Sequence, residues 1–487
     1  MFINQPFLKL YKTPLLLVFA SALFYIAFAY DLQRTDYIKL VMLYAALFFL
    51  FYKLIQFFKH NIKGLTYIAF GFRALFILAI PNLSQDFYRF IWDGRLILEG
   101  FNPYLYTVDT FINNGEFPVA QAQELRNGMG NLNASHFTNY APLNQLCFII
   151  AALFSGQSIL GSAIVMRLLI IAADFGTLHF GKKLLEKLNL PIHNIFWYIL
   201  NPFIIIELTG NLHFEGVMIF FLVWSLYLLH IGKWKFAAVV FALSISTKLI
   251  PLMFLPLFFK WFVKRYGTLI KVQDEQCNEI TSLQSPCNKE TKKWIPILIG
   301  MKKLILFYVI IGIMTVLFFA PFYASELIEN YLNTTSLWFK NFQFNASLFY
   351  IAKAIGYSHG GYNEIVKIGK TIPYLVVLFV IIISFFRKNK TTIKLITAML
   401  FVLSFYFFTA TTVHPWYIAT LLILSVFTKY RFPLVWSFII ILSYLSYINV
   451  NNADKSENLW IITFEYLIVY GVFIWEVFIK KAPKMEA

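Results

Sequence analysis

The residues best suited to chemistry lie in one short segment, 84–104, of a chain that is otherwise almost entirely apolar. Asp86, Arg89, Phe90 and Asp93 follow the three- and four-residue spacing of a single helix face. A carboxylate in this setting can take a proton from an attacking hydroxyl, while an arginine holds a phosphate or orients the carboxylate. Asp86 is the candidate base, and Asp93 is interpreted as its structural or substrate-orienting partner. The alternative is an interfacial helix whose Asp–Arg pairs only satisfy each other.

The other candidate binding residues are polar side chains within or beside apolar runs. They are Arg95, Asn102, Tyr104, Tyr140, Asn211, His213, Glu215, Lys248 and His414. Ionisable groups at membrane depth cost about 2.5–3.5 kcal/mol each, so they usually face a cavity. The sequence therefore predicts that these residues share one polar cleft with Asp86.

Four of these residues allow more than one interpretation. His213 and Glu215 could bind sugar hydroxyls, relay protons or, with Asp86, hold a divalent cation. Because an H-x-E pair alone is a weak metal signal, no metal site is predicted and a divalent cation is left open. The ammonium of Lys248 could bind a lipid phosphate. The alternative is a lysine in an apolar segment whose side chain extends to the membrane interface. His414 is either an aromatic-belt anchor or a second contact to phosphate or hydroxyl.

The composition places these groups in a membrane protein. Hydrophobic residues make up 59% of the chain and charged residues 13%, against roughly 25% charged in soluble domains. Apolar runs long enough to cross a bilayer as helices recur from end to end. The fold class is therefore an all-α polytopic membrane protein.

The net charge of +17 reports membrane orientation and excludes a nucleic-acid partner. Lysines and arginines cluster in short linkers that fall on one side of a single topology, as the positive-inside rule requires. That topology places 84–140 outside as one long polar loop and lays the run 143–156 along the outer surface. A bend near Lys248 and Pro251 splits the run 236–259.

Roughly 13 crossings are predicted in all. Those with assigned positions lie near 13–30, 38–57, 65–82, 160–180, 191–206, 216–231, 305–321, 371–386, 391–410, 416–428, 432–448 and 460–479. This pattern predicts three modules: an N-terminal membrane module 1–259 with the catalytic outer loop 84–140, a basic cytoplasmic loop 260–303 and a C-terminal membrane module 304–487.

The segment 84–104 resembles the GT-C superfamily of polytopic glycosyltransferases, in particular mannosyltransferases that use polyprenyl-phosphate mannose. Their first large outer loop carries a pattern similar to D-x-x-R-Y-x-W-D-G-R-x-x-x-x-G-x-N-P-Y. The matching residues are Asp86, Arg89, Trp92, Asp93, Gly94, Arg95, Gly100, Asn102, Pro103 and Tyr104. Phe90 stands where a Tyr is usual.

Weaker likenesses extend along the chain. Residues 140–143 resemble the family's Y-P-P-L with one proline lost, and 201–202 its N-P. Residues 210–215 resemble its G-H-x-D/E, with one residue inserted before the His and Glu in place of Asp. Lys248 with Pro251 is similar to a lysine that precedes proline in a membrane bend.

The resemblance implies a GT-C-like bundle with juxtamembrane helices on the outer surface. It implies inverting single displacement, in which Asp86 deprotonates the acceptor and cations stabilise the leaving lipid phosphate. The donor would be a polyprenyl-phosphate-linked hexose, with mannose the first candidate, and the acceptor an extracytoplasmic glycan, lipid or protein. No cofactor is required, and the expected location is a bacterial inner membrane with the active site on its extracytoplasmic face. The alternatives are a glycolipid transporter or flippase and a non-catalytic subunit of an envelope polysaccharide assembly system.

Overall fold

The computed structural model describes residues 5–266, 291–340, 342–360, 365–451 and 457–480. Within these ranges the chain is helical, and the only extended pairing is an isolated parallel bridge between Phe344 and Thr412. The predicted all-α fold is confirmed.

Three helices open the chain: α1 (Gln5–Tyr30), α2 (Tyr37–Phe58) and α3 (Ile62–Ala74). The helix predicted over 65–82 is thus shorter than expected. Past Ala74 the backbone N–H groups bond three residues back, in turns. The guanidinium of Arg167 binds the carbonyl of Ile77 at 2.8 Å, so this carbonyl needs no helical partner.

The predicted outer loop 84–140 contains three short helices, α4 (Asp86–Leu98), α5 (Val108–Asn113) and α6 (Ala122–Ala134). The helix α7 (Pro142–Phe154) comes after them and has 13 residues. About 20 apolar residues are needed to cross a bilayer, so α7 is too short for a span. Helices α6 and α7 both pack against α4, which fixes the start of α4 between them.

The middle of the chain is a set of packed helices. α8 (Ile159–Lys187) is followed by a broken helix, Ile192–Ile199 and Pro202–Gly210, whose two parts meet at 48°. The helices Glu215–His230 and Trp234–Thr247 then pack tightly against each other.

A sharp break ends the helix Trp234–Thr247. Lys248 is extended, with φ −153° and ψ 137°, and a 3₁₀ turn over Ile250–Leu257 comes next. Pro251 favours this break, since proline cannot donate the hydrogen bond that a continuing helix would need. The predicted bend at Lys248 is confirmed.

The C-terminal half comprises further helices with the bounds Thr291–Phe319, Leu327–Lys340, Leu348–Gly360, Ile365–Phe386, Thr392–Thr409, Pro415–Val426, Phe432–Ile439, Ile440–Asn451 and Leu459–Ile474. The helices Leu327–Lys340 and Leu348–Gly360 were not predicted, because their mixed polar and apolar composition hides them among loops. Most of the predicted cytoplasmic loop 260–303, residues 267–290, lies outside the described residues, and both of its described flanks are helical.

Several helices suit a bilayer. Across the described ranges, seven are long and apolar enough to span one, or eight if the broken helix counts as one span, and five shorter apolar helices accompany them. Large apolar side chains such as Phe19, Met42 and Val316 are exposed, as expected of a lipid-facing surface. The chain is an integral membrane protein, and the total of 13 crossings stays a prediction.

A buried ion pair ties α3 to α8, and its loss should destabilise the fold. Arg73 Nε binds Asp174 Oδ2 at 2.8 Å with both side chains fully buried, and Arg73 Nη1 binds the carbonyl of Ile199 at 2.7 Å. The substitution Asp174→Ala leaves a buried guanidinium without its counter-ion, which costs about 3–5 kcal/mol. We expect a marked fall in the thermal unfolding temperature of the detergent-purified protein.

The matched control is Asp31→Ala, which removes the partner of Lys39 in a surface pair whose aspartate side chain is 75% exposed. Surface pairs contribute little, so this variant should unfold close to wild type. Equal unfolding temperatures for the two variants would contradict the structural role of the Arg73–Asp174 pair.

Candidate functional site

One cavity of about 490 Å³ brings together the polar segments that the sequence separates. Its walls come from the start of α4, the end of α6, the start of α7, the break at Lys248, the helix Leu327–Lys340 and residues 414–417. Seven predicted site residues line it: Asp86, Arg89, Tyr140, His213, Glu215, Lys248 and His414. The predicted convergence on one cleft is therefore observed for these seven residues.

Helix α4 is held in place from both sides. On one side Arg89 Nε binds Asp93 Oδ1 at 2.8 Å, and Arg89 Nη1 binds the carbonyls of Asn133 and His136. On the other side Gln145 Nε2, on α7, donates to Asp93 Oδ2 at 3.1 Å. Nε and Nη1 of Arg89 and both oxygens of Asp93 thus help to fix α4 against α6 and α7.

Asp86 begins α4 and points its carboxylate at the cavity. Asn133 Nδ2 lies 3.4 Å from Asp86 Oδ1, and no cation within the described ranges forms an ion pair with this carboxylate. Burial raises the pKa of Asp86, while the hydrogen bond from Asn133 and the charge of Lys248 oppose that rise. A carboxylate of raised pKa is a stronger base once ionised.

Lys248 presents its ammonium to the same cavity. Its side chain is 30% exposed and forms an ion pair with Glu215, and its Nζ lies 4.9 Å from the centre of the Tyr417 ring. Asn144, on α7, donates to the carbonyl of Thr247 at 2.9 Å and so anchors the break beside it. The position of the Lys248 ammonium is therefore set by Glu215, by the ring of Tyr417 and by the anchored main chain at Thr247.

A column of stacked rings forms another part of the cavity wall. The rings of His213 and Trp416 have centroids 3.7 Å apart, those of Trp416 and His414 4.6 Å, and those of His414 and Phe344 5.0 Å. Burial and the charge of Lys248 lower the pKa of both histidines, that of His414 to about 3. Both imidazoles are therefore neutral at pH 7, and a neutral imidazole can both donate and accept a hydrogen bond.

Five predicted residues lie off the cavity lining: Asp93, Arg95, Asn102, Tyr104 and Asn211. Apart from Asp93, they form hydrogen bonds with the main chain of other segments. Arg95 donates to the carbonyls of Ala120 and Gln157, and Asn102 donates to the carbonyl of Phe322. Tyr104 donates to the carbonyl of Tyr140, and Asn211 accepts from the N–H of Leu83. These contacts support the cavity walls. The substrate contacts predicted for the five residues stay predictions.

Sequence reasoning missed several residues that line the cavity, among them Arg34, Asn133, Trp416 and Tyr417. Arg34 lies in the short linker between α1 and α2. A signal for it existed: this linker falls on the predicted outer side, where the positive-inside rule expects few cations. Asn133, by contrast, meets Asp86 only through the folding of α6 onto α4, which no local pattern reveals.

Comparison with known proteins is consistent with this site. Residues 25–264 match the family model described as "Alpha-(1->6)-mannopyranosyltransferase, N-terminal domain". The chain is also 24% identical over 358 residues to alpha-(1->6)-mannopyranosyltransferase A of Corynebacterium glutamicum, covering 71% of this chain and 67% of that relative. The predicted resemblance to mannosyltransferases is confirmed, and the family match spans every predicted site residue except His414.

The approach of α4 to α7 depends on Gly94. A Cβ at this position would lie 2.3 Å from the carbonyl oxygen of Phe148, a main-chain atom that cannot move alone. We expect Gly94→Ala to cost about 1–3 kcal/mol by overpacking and to displace α4 with Asp86. Thermal unfolding temperature and sugar-transfer rate should both fall.

Gly71→Ala is the matched control, because a Cβ at this position in α3 would meet nothing within 4 Å. It should leave activity unchanged and stabilise the helix slightly. If Gly94→Ala were as stable and active as Gly71→Ala, the close α4–α7 contact would not position the site.

Proposed function

We propose that this chain, a GT-C-like polytopic glycosyltransferase resembling mannosyltransferases, moves a hexose from a polyprenyl-phosphate carrier to an acceptor hydroxyl on the extracytoplasmic face. Mannose is the proposed hexose, because the matched family model and the matched relative are both named for mannosyl transfer. The observation that carries the proposal is the presence of Asp86 and Lys248 in one cavity. An inverting displacement needs a base for the incoming hydroxyl and a cation for the leaving phosphate.

Asp86 is the proposed general base, on grounds of elimination within the cavity. Among the residues that the structure describes, two acids line it, Asp86 and Glu215. Glu215 is engaged by Lys248, whereas the hydrogen bond that Asp86 accepts comes from the neutral amide of Asn133. Asp86 is therefore the carboxylate able to accept a proton from a bound hydroxyl.

Lys248 is the proposed partner of the leaving phosphate. An ammonium has three donors, so Lys248 can keep Glu215 while it binds a phosphate oxygen. Its position is set before substrate arrives, which makes its charge effective at the moment the phosphate gains charge. The Glu215 carboxylate is thus proposed to orient the lysine.

The bond changes balance without a further reactant. The acceptor oxygen attacks the anomeric carbon as its proton passes to Asp86, and the bond from the anomeric carbon to the phosphate oxygen breaks. The phosphate leaves with the bonding electrons as a lipid phosphate beside Lys248. Attack opposite the leaving group inverts the anomeric centre, and no covalent sugar–enzyme intermediate forms.

The neutral histidines suit the sugar better than the phosphate. His213 and His414 can bond hydroxyl groups in either direction, but they carry no charge to balance an anion at pH 7. We assign them to sugar hydroxyls, held in register by Trp416 between them. A volume of about 490 Å³ lies within the usual range for small-molecule sites.

Asp86→Asn should abolish most transfer while leaving the fold intact, since the amide keeps the shape of the side chain but cannot accept the proton. We expect the transfer rate from labelled polyprenyl-phosphate mannose to fall by about 10²–10⁴-fold. Asp109→Asn, in the same outer loop but paired with Arg126 at 3.0 Å, should transfer normally. Near-wild-type transfer by Asp86→Asn would show that another group is the base.

Lys248→Gln should move the acid limb of the pH profile of kcat/KM to higher pH. Activity is lost as pH falls through the pKa of Asp86, because the base must be ionised. The charge of Lys248 lowers that pKa and the charge of Glu215 raises it, so removing the ammonium raises the pKa and leaves the effect of Glu215 unopposed by Lys248. The maximal rate should also fall, because the leaving phosphate loses its cation.

The control is Lys53→Gln, a lysine of α2 outside the cavity lining, which should leave the acid limb unmoved. An acid limb that stays in place, or moves to lower pH, in Lys248→Gln would contradict the electrostatic coupling of Lys248 to Asp86.

A further inference from the structure

Glu207 is a buried acid that the proposed reaction does not use. It lies on the second part of the broken helix, and its side chain is only 1% exposed. It does not line the cavity, yet it contacts two residues that do, His213 and Tyr444. Glu207 therefore lies directly behind the cavity wall and can act on it.

Both contacts are made by the carboxyl group of Glu207. The phenol O–H of Tyr444 donates to this group and lies 2.9 Å from Oε1 and 3.0 Å from Oε2. Nε2 of His213 lies 3.9 Å from Oε2, and this buried nitrogen has no hydrogen-bond partner among the described residues. Leaving such a nitrogen without a partner is costly, and contacts in an active site often shorten when substrate binds. The geometry therefore favours a hydrogen bond between Glu207 and Nε2 in the occupied site.

Two irregular stretches of main chain bring Glu207 and His213 together. Residues Ile205–Gly210 form a π-helical turn, which carries Glu207. Leu212 then adopts a left-handed conformation with φ +61°, which is rare for a bulky residue. Such turns and left-handed residues cost stability and concentrate at functional sites. Both lie at one acid–histidine contact, which indicates that this contact does more than fill space.

The surroundings of Glu207 favour a neutral carboxyl group. In the described part of the chain its ion-pair contact is to His213, which is neutral at pH 7, and an unpaired buried charge is costly. A protonated carboxyl group avoids this cost, because it donates its proton to Nε2 of His213 while it accepts from Tyr444. Since Nε2 is then the acceptor, the ring proton of His213 lies on Nδ1.

We propose that Glu207 is a positioning residue that fixes the tautomer of His213, so that Nδ1–H donates to a hydroxyl oxygen of the transferred sugar. Tyr444 holds the carboxyl group from its other side. This inference rests on the proposed function and deepens it, because it assigns the groups that recognise the neutral sugar. Loss of Glu207 should weaken the recognition of one hydroxyl and leave the rest of the sugar bound as before.

The test measures hydroxyl recognition in matched variants. The donors are polyprenyl-phosphate mannose and the monodeoxy analogues of its mannose, and kcat/KM is measured for each. The proteins are wild type, Glu207→Leu, Glu207→Gln, His213→Ala and the double variant of Glu207→Leu with His213→Ala. The hydroxyl that His213 binds is the one whose removal slows wild type but not His213→Ala.

Glu476→Leu is the matched control. Glu476 is also a buried acid on a π-helical turn, Trp475–Ile479. Its carboxyl group accepts from the main-chain N–H groups of Arg431 and Phe432, neither of which lines the cavity. This variant should unfold at a lower temperature than wild type and keep the wild-type pattern of deoxy-donor penalties.

We expect Glu207→Leu to lower kcat/KM for the complete donor by about 10–100-fold. The loss should be much smaller for the deoxy donor that lacks the hydroxyl bound by His213. The double variant should be no slower than His213→Ala, because Glu207 acts through that ring. Glu207→Gln should recover most of the loss, because its amide N–H donates to Nε2 and its carbonyl accepts from Tyr444. Equal losses for the complete and deoxy donors in Glu207→Leu, or a Gln variant as slow as the Leu variant, would overturn the inference.

The tautomer is also measured without turnover, by NMR of the imidazole nitrogens in histidine-labelled protein, with the His213 signals assigned by their loss in His213→Ala. A proton on Nδ1 is expected in wild type, and a proton on Nε2 would overturn the inference. Wild-type protein that transfers no sugar from polyprenyl-phosphate mannose would instead contradict the proposed function. Normal transfer by wild type and Glu207→Leu alike would contradict the role of Glu207 alone.

Discussion

The cost of burying charge in an apolar helical protein is the constraint on which this structure depends. An ionised group away from water must find a counter-ion or a polar cavity. Three ion pairs meet that need: Arg73–Asp174, Arg89–Asp93 and Lys248–Glu215. Each pair also joins or fixes structural elements, and two of them, Arg89–Asp93 and Lys248–Glu215, include residues that line the cavity. Asp86 stands apart, because its carboxylate meets an amide and faces the open space.

The break at Lys248 places a charged group at the cavity. A lysine in the middle of a continuous apolar helix would have to reach for the interface. Here the helix stops at Thr247, and the extended backbone of Lys248 lets the ammonium meet Glu215 at the cavity. Helix α4 carries Asp86 to the cavity. Its close contact with α7 is possible because Gly94 has no side chain. Local backbone irregularity thus places a cation in the same cavity as the Asp86 carboxylate.

The sequence predicted those features that depend on local pattern. The spacing of Asp86, Arg89 and Asp93 predicted one helix, and Pro251 predicted the break beside Lys248, because both are short-range effects. Long-range contacts were out of its reach. Arg34, which lines the cavity, and Arg95, whose guanidinium bonds main-chain carbonyls, both fall on the predicted outer side, and the sequence does not show which of them reaches the cavity. Helices of mixed composition such as Leu327–Lys340, which supplies one wall, also lack the apolar run by which the other helices were recognised.

The most direct measurement is a cryo-electron microscopy structure of the Asp86→Asn protein with polyprenyl-phosphate mannose bound. We expect the phosphate within hydrogen-bonding distance of Lys248 Nζ and the side chain at position 86 on the opposite side of the anomeric carbon. A donor bound with its phosphate outside this cavity, or with that side chain on the same side as the phosphate, would contradict the proposed displacement.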